Sequence, residues 1–390
     1  MSGRSRCDCR RCRWWWAARD GKGAWQVLPG GFARIGDASD TRAAVMGDGV
    51  WSADMWVHGR DAVKQTSLLP APDSLQIRRN PGTLPSRVAD NFYWLGRYLE
   101  RGEALLGVVR VMLGTSTDAD AGGALAPATA GKLVGLIVAG GAAPPPRSFA
   151  RADLTEFART AIEAPDQQSV VAINALARAI GEGARDRLSA DMVRLLEAPL
   201  PRHPGLPDRA AALQRRYAAL AGLSAEHMVR TAAWRFLDLG RRVERALGCG
   251  RAVHAFGLAG ASLDDLSTLL DLSDAQIGYR QRYPTGIARV PVIDLVALDP
   301  ANPRSLPYQT KRIRTQLRAL PVLGNDGTAE PQQAAARAIE AVVATAEAAT
   351  LDTAALFHVE QKPYEMSDLV ARRYFLQGAE PLRASGLTLA

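Results

Sequence analysis

From Val88 onward the chain carries apolar residues at alternating intervals of four and three: Val88, Phe92, Leu95, Leu99, Gly102, Leu106, Val109 and Leu113. That spacing places one continuous seam on a helix and predicts an α-helix over 86–113. Ser86 is the expected N-cap, with Asp90 near the positive end of the helix dipole. The same intervals return at Ala232, Phe236, Leu239, Val243, Ala246, Gly250, Val253 and Gly257. Further helical patterns run over 151–164, 167–197, 208–221, 224–257, 263–280, 303–319, 330–357 and 366–376. The run "VPVIDLVAL" at 290–298 reads as a short strand or a buried extended segment. "STDADAGGALAPATAG" and "GGAAPPPRS" read as loops.

The two seams share more than spacing. "LGRYLER" at 95–101 aligns with "LGRRVER" at 239–245 at an offset of 144, with five of seven residues identical. An internal duplication follows as an expectation. On a helical wheel at ~100° per residue, Arg97 and Arg101 fall roughly opposite Leu99, and Glu100 lies on the flank. Tyr93 and Trp94 share that far side. In the second copy Arg241 and Arg245 lie opposite the seam beside Trp234 and Leu237. A tryptophan on each far face implies that both helices are covered on two sides, so the charges are at least partly buried. Buried charges need partners. The i,i+3 spacings Arg97–Glu100 and Arg241–Glu244 allow pairing within each helix. Pairing between the helices is equally open, with Gly96 and Gly240 permitting close approach. A structural ion network is favoured over a pocket for an anion, although Arg forks suit carboxylate and phosphate.

Before residue 85 the pattern changes. Six of the eight tryptophans precede residue 57. "GAWQVLPGGFARIGD" reads as two short strands, through Trp25 and Val27 and through Phe32 and Arg34, around a Pro-Gly-Gly turn. So small a piece cannot bury a core alone. Residues 1–16 read as a disordered basic tail, 17–60 as a β-hairpin-like remnant, 61–84 as a linker and 85–380 as the helical domain. The expected fold class is all-α: a large helix bundle with an internal duplication and a small β appendage.

Composition narrows the function classes. The chain of 390 residues is 47% hydrophobic and 23% charged, ordinary for a globular protein. No apolar run reaches the ~18 residues of a membrane span, and no signal-peptide core follows the basic N-terminus, so a cytoplasmic protein is expected. Net charge is +8, and residues 1–20, with six Arg and two Asp, carry +4 of it. No nucleic-acid motif accompanies that arm, so nucleic-acid binding is disfavoured. Cys7, Cys9 and Cys12 form a C-x-C-x2-C cluster without a second ligand pair, and no metal or cofactor is expected. Cys249 and His254 lie five apart, on different helix faces, so Cys249 reads as a small core residue rather than half of a dyad.

One polar group lies outside the repeats. In "LDPANPRSLPYQ", Asn302 and Pro303 are expected as N-cap and first helical residue. Asp299 and Arg304, with Tyr279, Arg280, Tyr283 and Asp294, could gather at a helix N-terminus, which favours anions. A loop fixed by ion pairs is the preferred reading of that group.

These segments together resemble the alpha-E family, a predicted α-helical domain described by an ER motif. "SRVADNFYWLGRYLERGEA", "ARDRLSADMVRLL", "GLSAEHMVRTAAWRFLDLGRRVERAL" and "YRQRYPTGIARVPVIDLVALDPANPRSLPYQ" carry the resemblance, across about 84–380. "GAWQVLPGGFARIG" with "SADMWV" resembles the C-terminal tail of circularly permuted ATP-grasp proteins, without their ATP-binding body. Alpha-E proteins have no firmly assigned activity. Their company of ATP-grasp proteins and transglutaminase-like peptidases implies a system that makes or trims amide bonds. The resemblance therefore implies a non-catalytic accessory or substrate-presenting module, partnered by an ATP-grasp protein encoded nearby or fused, with a peptide as possible substrate. It also implies that the chain could be part of a longer fusion. The alternative is an enzyme of peptide or amide metabolism, with Glu100 or Glu244 as a general base whose pKa burial raises.

Overall fold

A computed structural model describes strand residues 11–14, 17–19, 25–27, 30–35 and 51–56, and residues 84–114, 125–165, 167–322 and 328–375, the side chains of 353–360 excepted. Cys7, Cys9, the expected linker up to 83 and the last fifteen residues lie outside this set. The chain divides into two compact units, residues 1–79 and 80–390.

Among the described residues of the first unit, five short strands form two antiparallel sheets. Arg11–Trp14 (β1) and Trp51–Trp56 (β5) flank Gly30–Ile35 (β4), while Ala17–Arg19 (β2) pairs with Trp25–Val27 (β3). The two strands expected around the Pro-Gly-Gly turn are both present, but they pair with other strands and not with each other. Residues 11–14, expected within the disordered tail, are extended and pair with β4 through Arg11↔Ile35 to Trp14↔Phe32.

The second unit is an all-α bundle, as the patterning predicts. Its centre is a pair of long helices, Ser86–Met112 (α1) and Ala232–Phe256 (α7). Between them in sequence lie Pro127–Ala139 (α2), Arg151–Glu163 (α3), Val170–Gly183 (α4), Ala190–Glu197 (α5) and Leu206–Glu226 (α6). After them come Leu263–Leu272 (α8), Gln276–Arg282 (α9), Arg289–Ile293 (α10), Leu306–Ala319 (α11), Pro331–Ala344 (α12) and Thr353–Tyr374 (α13). Helices α4 and α6 pack on α1, and α11 and α13 pack on α7. The seam residues Phe92, Leu95, Leu106 and Val109 are buried, as are Phe236, Leu239, Val243 and Val253. The far-face residues Tyr93, Trp234 and Leu237 are buried as well. Both central helices are thus covered on two sides.

Several boundaries differ from the sequence expectation. Pro85, not Ser86, is the N-cap of α1 and makes no side-chain cap. The pattern over 167–197 divides into two helices, each with a serine cap: Ser169 Oγ accepts from Ala172 N at the start of α4, and Ser189 Oγ from Met192 N at the start of α5. Helix α7 begins only at Ala232, because residues up to Glu226 finish α6. The segment 290–298 is helical, not extended. Pro291 sits in the first turn of α10, where its missing N–H costs nothing, and one π-helical turn, Asp294–Leu298, follows. Helix α2 begins inside the first stretch read as a loop, continues through residues given no element, and buries Leu133, Val134 and Ile137. The pattern 330–357 breaks after α12, and α13 runs through Pro363 instead of starting beyond it.

Candidate functional site

Helices α1 and α7 meet backbone to backbone. A Cβ added to Gly96 would lie 2.1 Å from the Leu237 carbonyl oxygen, and one added to Gly240 would lie 2.0 Å from that of Tyr93. Only glycine permits this approach at either point. The two contacts correspond under the offset of 144, since Tyr93 is the equivalent of Leu237. The closeness anticipated for Gly96 and Gly240 is therefore present in both copies.

This approach brings the two Arg–Glu–Arg groups into register across the interface. Arg97 Nε donates to Glu244 Oε2 at 2.6 Å, and Arg101 donates through Nε and Nη2 to both oxygens of Glu244 at 3.0 and 3.1 Å. In return, Arg241 Nε donates to Glu100 Oε1 at 2.8 Å, and Arg245 donates to both Glu100 oxygens at 2.7 and 2.9 Å. Each glutamate is held in a fork by two arginines of the other helix. The partners lie 141–147 residues apart, so the two helices run parallel. A parallel pair needs a long crossover, and α2–α6 supply it.

The inner arginines are completed from outside the pair. Arg241 Nη1 donates to Ser224 Oγ at 3.0 Å, from α6, and Arg97 Nη1 to Ser367 Oγ at 3.5 Å, from α13. Arg97 also lies over the Trp94 ring, 5.1 Å from its centroid. The four inner groups are almost dry: Arg97, Glu100, Arg241 and Glu244 are 2%, 5%, 6% and 6% exposed. The sequence left pairing within or between helices open, and the structure pairs them between.

This geometry fixes the charge states. Burial alone would raise the pKa of Glu100, but Arg245 and Arg241 outweigh it and bring it down to about 2. Burial opposes Arg101 and Arg97 at Glu244 and loses again, leaving that carboxyl far below the usual range. The expectation of a raised carboxylate pKa is thus reversed. Both glutamates are ionised at neutral pH with their oxygens already committed, which is the opposite of a poised general base.

The network continues outward through Glu103, which sequence reasoning missed. Glu103 accepts from Arg245 at 3.3 Å and from Arg304 at 2.9 Å, and Arg304 also reaches Asp274 at 2.6 Å. Asp274 has φ 51°, a left-handed conformation that Asp tolerates better than most residues. Glu103 stands one turn beyond Glu100, a spacing that could have placed it on the same face.

The second polar group does not gather. Arg304 belongs to the central network, whereas Asp299 pairs with Arg282 at 2.6 Å on the surface. Partial burial opposes ionisation of Asp299, but that arginine holds its carboxyl below the usual range. Tyr279 is buried. Its hydroxyl donates to Gly286 O and accepts from Ala288 N, and its ring lies 5.0 Å from that of Tyr283. Arg280 and Asp294 are exposed. Asn302 is not an N-cap: its side chain donates to Leu295 O and accepts from Arg304 N, while Ser305 caps α11. Pro303 accordingly precedes the helix. These residues fix the path of a loop, the reading preferred from sequence.

A cavity of about 170 Å³ opens beside the network, between the C-terminal halves of α1 and α7 and the helix α2. Arg101, Arg245, Arg251 and Arg304 face it together with Glu100, Glu103 and Glu244, and Leu105, Val108, Leu136 and Ile137 form its apolar wall. Cys249 also lines it. Burial pushes that thiol up to about 12, so it is a protonated wall residue and not a nucleophile. Among the described residues no group of His, Cys, Asp and Glu is arranged to hold a metal ion. No helix among them is long and apolar enough to cross a membrane.

Comparison with known proteins agrees with this architecture. Uncharacterised proteins of Mycobacterium bovis and of two strains of Mycobacterium tuberculosis are 27–28% identical over 282–285 residues. Those matches cover 63% of this chain but 31% of each relative, so the chain spans about a third of the length of the relatives it matches. No solved structure matches the chain. The family described as a predicted alpha-helical domain with a conserved ER motif matches residues 84–375. The dipeptide Glu-Arg occurs in this sequence only at 100–101 and 244–245, the centres of the two reciprocal forks. The chain belongs to the Alpha-E family.

Proposed function

We propose that this chain is a non-catalytic accessory module that presents a peptide or similar substrate to an ATP-grasp enzyme making amide bonds. The observation that carries this reading is the reciprocal clamp. It takes the two most suspicious carboxylates of the sequence and commits them to holding helices together. What remains exposed to a ligand is a cavity with donors and an apolar wall but no nucleophile–base pair, which suits binding better than bond-making. Relatives about three times the length of the match support a domain that works beside others. The N-terminal resemblance to a permuted ATP-grasp tail supports the identity of the companion. Work in the cytoplasm, with the companion's ATP at hand, completes the proposal.

The test is co-purification of the full chain with an ATP-grasp protein encoded beside it, followed by amide-bond turnover with and without the chain. Association at micromolar concentration and faster turnover with the chain are expected. Lack of association would overturn the reading. So would turnover by the chain alone that disappears in both Glu100→Gln and Glu244→Gln while the variants stay folded; that outcome would establish an enzyme.

A further inference from the structure

We propose that the cavity beside the clamp binds the α-carboxylate of an apolar aminoacyl group, either a free amino acid or the C-terminal residue of a peptide. This deepens the accessory reading by naming what would be presented, and it rests on that reading only for its purpose.

Three independent features of the cavity fit the three parts of such a ligand. The first is uncommitted positive charge. Four guanidiniums face the space against three carboxylates, and Arg97 and Arg241 neutralise two of those carboxylates from behind. Arg101 and Arg245 spend Nε and Nη2 on their glutamates, leaving Nη1 of each without a partner among the described residues. Arg251 pairs with no described carboxylate and donates only through Nη2, to the Tyr364 hydroxyl. Arginine edges left open at a partly buried site call for an oxyanion.

The second is an unpaired acceptor. Gln168 lines the cavity, and its side-chain Oε1 is buried with no hydrogen-bond partner among the described residues. A buried acceptor without a donor is costly, and a turn of the half-buried Gln168 side chain would bring that oxygen to a ligand N–H. An amino acid or peptide carries such a donor beside its carboxylate.

The third is size and polarity. A cavity of about 170 Å³ slightly exceeds the ~150 Å³ that holds a benzene molecule in an engineered protein core. The apolar wall of Leu105, Val108, Leu136 and Ile137 therefore accommodates one aliphatic or aromatic side chain, while the exposed Ala104 marks the mouth.

Calorimetric titration of the full chain tests the assignment with four probes: leucine, N-acetyl-leucine, N-acetyl-leucinamide and the tripeptide Ala-Ala-Leu. The carboxylates are expected to bind, and the leucinamide at least tenfold more weakly than N-acetyl-leucine. Leucine binding more tightly than the tripeptide assigns a free amino acid, and the reverse order assigns a peptide C-terminus. Arg251→Gln, which removes none of the clamp's hydrogen bonds, is expected to weaken carboxylate binding at least tenfold while the variant still unfolds cooperatively. Ala104→Phe is expected to abolish binding by closing the mouth. Acid and amide binding within twofold of each other, binding unchanged in Arg251→Gln, or no binding of any probe at millimolar concentration would overturn the assignment. Measuring association with the ATP-grasp protein in the same variants separates the two proposals. Association retained in wild type without ligand binding defeats this inference alone, and ligand binding without association defeats the accessory reading alone.

Discussion

Replacing Gly96 by alanine perturbs the contact on which the whole bundle centres. The new Cβ would sit 2.1 Å from Leu237 O, 2.9 Å from Arg241 N and 3.0 Å from Leu237 C, all backbone atoms that cannot swing aside. A carbon–oxygen contact needs more than 3 Å, so α1 and α7 must separate locally by on the order of 1 Å. Overpacking of this kind costs about 1–3 kcal/mol or more. The separation also stretches the Arg–Glu bonds, now 2.6–3.1 Å, toward the limit at which they cease to be hydrogen bonds. Losing even one charged bond adds about 1.5–3 kcal/mol. The total is roughly 4 kcal/mol, a large fraction of a typical domain's stability. Gly107 in the same helix is the control, because a Cβ there meets nothing within 4 Å. Gly107→Ala should gain about 0.5–1 kcal/mol from helix propensity. Urea unfolding followed by tryptophan fluorescence reads both variants, since Trp94 and Trp234 belong to the two central helices. A Gly96→Ala variant within ~0.5 kcal/mol of Gly107→Ala would refute the close approach.

Three further outcomes follow from the same geometry. The folded pKa of Glu100 lies at about 2 against an ordinary 4.5, so its ionised form stabilises the fold fully above about pH 5. That contribution, roughly 3 kcal/mol, is lost as pH falls from about 5 toward 2; Glu100→Gln should flatten the slope of stability over this window, measured by chemical unfolding at each pH. Cys249, half-buried in the cavity wall with its thiol pushed up to about 12, should react with iodoacetamide at pH 8 far more slowly in the folded than in the unfolded chain, as read by mass mapping of its peptide. Rapid labelling of the native chain would contradict its place in the wall. Ser262→Ala should cost about 1 kcal/mol, because Ser262 and Asp265 form a reciprocal cap at the start of α8; a thermal midpoint equal to wild type would show that the cap contributes nothing.

The readable parts of this fold were those with long periods. Seams from Phe92 to Val109 and from Phe236 to Val253 repeat over many turns, so their helices and their two-sided burial were legible. Helix α2 was not, because Gly131, Gly135 and the scattered Ala128 and Ala130 blur its pattern; its buried Leu133, Val134 and Ile137 owe their helix to packing on α1, α7 and α8. The β-branched residues around Pro291 suggested a strand, yet burial on all sides suits a helix equally well. At the clamp, the residues were legible and the partners were not. An i,i+3 Arg–Glu spacing fits one helix as well as two, and only the approach of Gly96 to Leu237 and of Gly240 to Tyr93 decides between them. Arg304 was singled out with the wrong companions, since its partners Glu103 and Asp274 lie far away in sequence. Gln168 and Arg251 carry no sequence signal at all, because a cavity is made by distant segments.

The central claim is that the two Glu-Arg motifs exchange partners between helices. Double-mutant cycles on unfolding free energy test it most directly, with Glu100→Gln combined in turn with Arg245→Met and with Arg97→Met. The crossed pair Glu100–Arg245 should couple by about 2 kcal/mol or more, and the same-helix pair Glu100–Arg97 by no more than the ~0.5 kcal/mol of an ordinary i,i+3 neighbour. Stronger coupling within the helix than across it would contradict the account.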